Sequence, residues 1–260
     1  MPELSIIIIS HSHGHLLIEL LNSLEQQPPE PAFEIHLILN RAEDKKIIAA
    51  LESTKLNLRI SQRENPQSLS SNLNNAVSKI QTPYTLILNP DTSLPRGNLA
   101  RTLSYLKNSD LELVTCRAKS PRGEDLVNLR HFPSPFSLFY ERVFSEASRK
   151  SMQENIISGK SGKPFWIQGS YWLGRTSLFQ KNEFDERYPL YFEDVDFCRR
   201  LWIAKKRLGI CEETHFIHHF QRKSSFLFSK PFFLHLYSAL LYFLKTRGSQ
   251  IPIKEKSTSG

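Results

Sequence analysis

Three groups of polar residues in this chain stand where chemistry could be done. Asp91 closes Leu88-Asn-Pro-Asp91, directly after an apolar run. Pro90 fixes the backbone there. A carboxylate leaving the end of a buried strand suits a hard divalent cation that holds phosphates. Asn-Pro-Asp is equally a common turn, and the segment alone does not separate the two. The second group is Phe184-Asp-Glu-Arg-Tyr-Pro-Leu-Tyr-Phe-Glu-Asp-Val-Asp196, five acids interleaved with aromatics. Glu193-Asp194 falls at an expected helix N-terminus, where backbone N–H groups stabilise anions. An acidic helix start is an ordinary reading; paired carboxylates beside aromatic rings also make a pocket for a polar ring-shaped ligand. One of them could then act as general base on a hydroxyl. The third group is His218-His219, after a strand-like Thr-His-Phe-Ile. Neighbours on a strand point opposite ways, so at most one of these imidazoles reaches a shared metal.

The elements that must position these groups follow from periodicity. Continuous apolar runs at Leu4–Ser10, Phe33–Leu39 and Tyr84–Leu88 read as buried strands of a parallel sheet, with shorter strands at Asn57–Ser61 and Leu111–Cys116. Helical spacing fills the gaps at Leu16–Leu24, Glu43–Glu52, Ser70–Ile80 and Leu99–Lys107. Alternating strands and helices predict a doubly wound α/β sheet, whose ligands sit beyond the C-terminal strand ends. That rule selects Ser10–His13, Asn40–Glu43 and Asn89–Thr92. From residue 118 to 164 the pattern fails, and an excursion is expected, helical near Phe136–Ser148 and mobile at Ile157–Lys163. Order returns at Phe165–Leu173, with helices at Thr176–Lys181 and Asp194–Ala204 and short strands at Leu208–Cys211 and Thr214–His218. Residues 1–117 are expected to form one half of a domain, 118–225 the other half, and 226–260 a helical tail.

The chain has 260 residues, 34 Lys and Arg against 26 Asp and Glu, and three cysteines. It is long enough for a sizeable core and too poor in cysteine for a disulfide framework. No secretory leader is read at its start, so free thiols and a cytoplasmic setting are expected. From Gln221 onward seven basic residues meet one acid, so +6 of the net charge of +8 lies in the tail. Nucleic-acid binding is set aside, because the charge is confined there and no binding motif accompanies it. The apolar stretch Pro231–Leu244 falls short of the roughly 20 residues a membrane span needs. It is expected to lie in the interface of an anionic membrane or to pack on the body as core.

Together the segments resemble inverting family-2 glycosyltransferases of the GT-A fold, and within them the rhamnosyltransferase-like branch. The segments are LSIIIISHS at the start, SSNLNNAV, LILNPDT, RHFPSP at 130–135, FWIQGSYWLGRTSLF, FDERYPLYFEDVDFCRRL and HFIHH. The acidic-aromatic segment is the most specific of them, and the resemblance runs from Leu4 to about Ser225.

The resemblance implies a mostly parallel central sheet flanked by helices. Asp91 would bind Mg²⁺ or Mn²⁺ and through it the donor diphosphate, with His218 the second metal ligand. Asp194 would be the catalytic base. Glu193, Trp166 and Gly169 would line the acceptor pocket, while Ser10, His11, Asn40, Asn74 and Asn89 would join Asp91 around the donor. The implied partners are a dTDP- or UDP-linked sugar, rhamnose being the branch's example, and a glycan or lipid-linked acceptor at the inner face of the cell membrane. The place of the family's base-reading Asp holds Leu39, which motivates a second reading: an inactive relative that binds sugar or protein.

Overall fold

The computed structural model describes residues 1–134, 146–219 and 230–247. Strand β1 (Leu4–Ser10) lies inside the sheet, paired in parallel with β2 (Phe33–Leu39) on one side and β4 (Tyr84–Leu88) on the other; β3 (Leu58–Gln62) extends the parallel run beyond β2. Residues Ile6 and Ile8 face one layer and Ile7 the other, as period-two alternation requires. The first layer is covered by α1 (His15–Glu25), α2 (Lys45–Glu52) and α4 (Asn98–Lys107), through Leu17, Leu20, Leu51, Leu99 and Leu103. The second is covered by α3 (Leu69–Val77), α6 (Thr176–Lys181) and α7 (Glu193–Ile203), through Leu73, Val77, Phe179, Phe197 and Leu201.

Beyond β4 the sheet becomes mixed. The order is β3-β2-β1-β4-β10-β6-β11-β5, where β5 is Thr92–Ser93, β6 Leu113–Lys119, β10 Tyr171–Arg175 and β11 Leu208–His218. Strand β10 runs antiparallel to both β4 and β6, so the expected mostly parallel sheet is parallel only from β3 to β4 and again between β6 and β11. The two short strands expected at 208–218 are one strand with a register irregularity between Cys211 and His215. Its far end pairs with β5, a two-residue strand that the turn-rich sequence concealed.

The stretch expected to be irregular is partly built into the fold. Strand β7 (Asp125–Leu126) pairs with β6, and β8 (Leu129–His131) forms a separate two-stranded ribbon with β9 (Phe165–Ile167). Helix α5 (Glu146–Ile157) lies between them in sequence, and Ser158–Lys163 links it to β9 by turns. Most of the helix expected at Phe136–Ser148 lies outside the described residues.

Helix α8 (Lys230–Thr246) carries the tail. Its inward face buries Ser238, Ala239 and Tyr242 against Tyr188, Phe192 and Val195. Among the described residues no helix is long and apolar enough to cross a membrane.

Candidate active site

The loops at the C-terminal ends of β1, β2 and β4 converge. After β1, Ser12 and Gly14 take left-handed backbone, and this tight turn aims two N–H groups at one carboxylate. His13 N–H donates to Glu43 Oε1 at 3.0 Å, Gly14 N–H to Oε2 at 3.3 Å, and the Ser10 hydroxyl to Oε1 at 2.8 Å. Asn40 joins the end of β2 to this turn. Its amide nitrogen lies 3.2 Å from His11 Nδ1 and donates to the Gln67 carbonyl, while its oxygen accepts from Gln67 N–H and from Asn72. Ser10, His11 and Asn40 are thus brought together. The buried Ser10 and Asn40 side chains hold the loops' shape, and His11 stays exposed at the rim.

Asn74 is placed elsewhere. Its amide donates to the Phe184 carbonyl and to Glu186, and accepts from Phe184 N–H at 2.8 Å. Both polar ends therefore tie α3 to the segment before α7. The asparagine of α3 that reaches the strand-end cluster is Asn72, through its hydrogen bond to Asn40.

After β4, Asn89 N–H donates to the Ser170 carbonyl, and the Thr92 hydroxyl caps the turn on the Asn89 carbonyl. The turn sets Asp91 facing β11. Pairing of His218 with Thr92 in the β5–β11 ladder then brings His218 Nε2 to 3.3 Å from Asp91 Oδ1, both side chains being largely buried. His219 turns the other way, toward Ser93 and Glu19. Burial alone would raise the Asp91 pKa. The hydrogen bond and charge of His218, with the charge of His13, outweigh it, so the carboxyl titrates below its ordinary range. An ionised carboxylate and an imidazole are a fitting donor pair for a divalent cation. Among the described residues no three His, Cys, Asp or Glu side chains form a complete metal cage. The remaining ligands would have to come from phosphate oxygens and water, as is usual for Mg²⁺.

The acidic-aromatic segment is held in an uncommon conformation. Tyr191 and Phe192 both take positive φ, near +66° and +68°, immediately before α7. Aromatic residues are rare there, and such backbone persists only when its surroundings impose it. The turn puts Glu193 and Asp194 in the first turn of α7. Asp194 Oδ2 accepts from Gly169 N–H at 3.2 Å and Oδ1 from its neighbour Val195 N–H at 2.9 Å. Trp166 lies across on β9, paired with Arg130 on β8, whose guanidinium sits 5.9 Å from the indole ring. Gly169 thus touches Asp194 directly, the Arg130 charge reaches the same carboxyl, and Trp166 packs beside the Tyr188, Phe192 and Val195 cluster at the start of α7; Arg130 is the member that strand periodicity did not single out.

Both carboxyls of the pair titrate above their ordinary range. Burial is the main cause for each, and the Asp194 charge adds to it at Glu193. At Asp194 the backbone N–H groups and the Arg130 charge oppose the rise without cancelling it. Glu193 Oε2 is buried and accepts no hydrogen bond from the described protein. Leaving such an acceptor unmet costs about 1–3 kcal/mol. A ligand hydroxyl would meet it.

Comparison with known proteins identifies the family and the fold. The family model for glycosyl transferase family 2 matches residues 5–181, more than half of the chain, and ends before α7. The chain is 32% identical over 170 residues to the rhamnosyltransferase WbbL of Escherichia coli strain K12, a match covering 63% of this chain and 62% of that protein. Two solved structures share the fold. A mannosyltransferase from Pyrobaculum calidifontis, in complex with GDP-Man and Mn²⁺, superposes with TM-score 0.67 at 14% identity, over 96% of this chain and 66% of that one. Residues 1–349 of TarS from S. aureus, in complex with UDP-GlcNAc, superpose with TM-score 0.61 at 19% identity, over 94% and 67%. The curled sheet flanked by helices is the GT-A architecture.

Proposed function

Given that the chain belongs to glycosyl transferase family 2, we propose that it is an inverting transferase that takes a sugar, rhamnose by the likeness to WbbL, from a nucleoside-diphosphate donor. The observation that carries this reading is the meeting of Asp91 and His218 at the sheet edge, 3.3 Å apart, with the Asp91 carboxyl held ionised. These two would hold a Mg²⁺ or Mn²⁺ ion, which when bound supplies positive charge to the departing diphosphate. The mannosyltransferase with its Mn²⁺ supports that assignment by analogy. Backbone and side chains of Ser10, His11, Asn40 and Asn89 shape the donor side.

The chain's own chemistry is acceptor activation. Asp194, oriented by Gly169 N–H, takes the proton of the acceptor hydroxyl as the oxygen attacks the anomeric carbon. Attack from the face opposite the leaving group inverts that carbon in one displacement. Glu193 accepts from a second hydroxyl, and Trp166 offers its ring face to the sugar.

Helix α8 adds a further part of the reading. Its outward face exposes Phe233, Leu236, Tyr237, Leu240 and Leu244, five of the eight exposed large hydrophobics among the described residues. Burying a Leu or Phe side chain is worth about 1.5–3 kcal/mol. With the basic sequence around it, this stripe suits the anionic inner face of a membrane, where a lipid-linked acceptor would be met.

Leu39 favours the second reading. It is core, 1% exposed, so no carboxylate ends β2. Thermal melts of the protein against a panel of nucleotide-sugars, with and without Mn²⁺, test the proposal, because a ligand stabilises the state it binds. Metal-dependent stabilisation by one donor is expected. Stabilisation with no release of nucleoside diphosphate would favour the inactive relative.

A further inference from the structure

The residues that hold Glu193-Asp194 in place do not all come from the same part of the chain. The left-handed pair Tyr191–Phe192 must be imposed by its surroundings, and much of that packing is α8. His235 sits with ring centroids 5.3 Å from Tyr191 and 5.4 Å from Phe192, and Tyr242 sits 5.3 Å from Phe192. The Ser238 hydroxyl, fully buried, donates to the Leu190 carbonyl at 2.8 Å, just ahead of the turn.

In the last turn of the helix, Lys245 closes the arrangement. Its ammonium lies 2.7 Å from Asp185 Oδ2 and 2.7 Å from Asp196 Oδ1. Asp185 begins the acidic-aromatic segment, and Asp196, 1% exposed, sits in the first turn of α7. The Lys245 charge therefore ties both ends of the segment that carries the catalytic pair. Asp196 also accepts from Arg200 at 2.9 Å and from the Tyr188 hydroxyl at 3.3 Å, so it keeps partners if Lys245 is lost. Asp185 keeps Arg187.

We propose that α8 is a brace for the acceptor pocket and that Lys245 and Ser238 are positioning residues for the Asp194 carboxylate. They touch no reacting atom. They fix the Leu190–Phe192 turn from behind, and the turn fixes where α7 begins. The same helix bears the exposed apolar stripe, so the surface read as meeting a membrane and the support of the base are opposite faces of one rigid element. This inference rests on the reading of Asp194 as the base.

The test compares wild type with Lys245→Met, Lys245→Arg, Ser238→Ala and Asp194→Asn in the full chain. The readout is nucleoside-diphosphate release from the nucleotide-sugar that most stabilises wild type, with water as the hydroxyl that Asp194 deprotonates and that takes the sugar, and with kcat referred to donor-binding-competent protein. Lys245→Met is expected to lower kcat about 10- to 100-fold, the scale of a misplacement remote from the chemistry. Donor KM and the Mn²⁺ requirement should stay as in wild type, Lys245→Arg should recover most of the loss, and Ser238→Ala should lower kcat in the same sense. If Lys245→Met does not fold, Ser238→Ala decides. Wild-type kcat in the folded variants beside an inactive Asp194→Asn overturns the brace. An active Asp194→Asn instead overturns the base assignment beneath it.

Discussion

Asp91 and His218 stand 3.3 Å apart although one follows β4 and the other ends β11. A two-residue strand, β5, makes the meeting, because its pairing with β11 sets His218 opposite Thr92, beside Asp91. The pair is thus a product of sheet register: a one-residue slip of β11 would turn His219 toward Asp91 instead.

Replacing either partner should uncouple metal from nucleotide. In calorimetric titrations, Mn²⁺ should tighten nucleoside-diphosphate binding to wild type and leave Asp91→Ala indifferent. His218→Ala should weaken the coupling more than His219→Ala, since only His218 faces the carboxylate. An equal loss from the two histidine variants would remove His218 from the site.

Much of this was legible beforehand, for physical reasons. Buried strands of a parallel run are continuous apolar segments, so β1, β2 and β4 and the loops at their ends could be placed from sequence. Asp91 stands out because it directly follows such a run, and Glu193-Asp194 because paired acids among aromatics open an expected helix. Among the asparagines of α3, tertiary contacts rather than helical spacing decide direction: Asn72 meets Asn40, and Asn74 meets Phe184. Arg130 lies in a segment where no periodicity marks which side chain turns inward, and the strand-end rule picks out Glu43 without showing that it receives the His13 and Gly14 N–H groups. The apolar run of α8 does not by itself say which side chains turn inward; packing buries Tyr242 and leaves Leu240 exposed.

The raised titration of the carboxyl pair sets a pH dependence. Asp194 must be ionised to take a proton, and both carboxyls hold their protons to higher pH than ordinary acids. Activity should therefore fall as pH drops, with its acid limb above the usual carboxylate range. Arg130→Gln removes a positive charge that favours the ionised form and should push that limb higher still. The pH profile of kcat/KM reads both; a limb near pH 4 in wild type would contradict the assignment.

Glu193 should cost stability at neutral pH. Its folded pKa lies above its unfolded one, so the folded state binds the extra proton and stability declines as pH rises through that interval. Glu193→Gln should then raise stability at pH 8 by on the order of 1 kcal/mol and do little at pH 4. Melting curves at the two pH values check the difference, and a variant less stable at pH 8 than wild type would refute it.

The outward face of α8 should govern vesicle binding independently of folding. Leu236→Glu with Leu240→Glu changes two exposed side chains, so the melting temperature should hold while sedimentation with anionic vesicles is lost. Wild-type binding should weaken with added salt, each nearby basic residue being worth about 1 kcal/mol at low ionic strength. Unchanged sedimentation of the double variant would remove the membrane contact and leave the transferase reading intact.

In the proposed mechanism Asp194 drives transfer from a donor held at Asp91. Its most direct measurement is the rate of nucleoside-diphosphate release by Asp194→Asn, at saturating donor and Mn²⁺, from the nucleotide-sugar that most stabilises wild type. A fall of roughly 10²–10⁴, with donor affinity equal to wild type, is the predicted result. Release at the wild-type rate would contradict it.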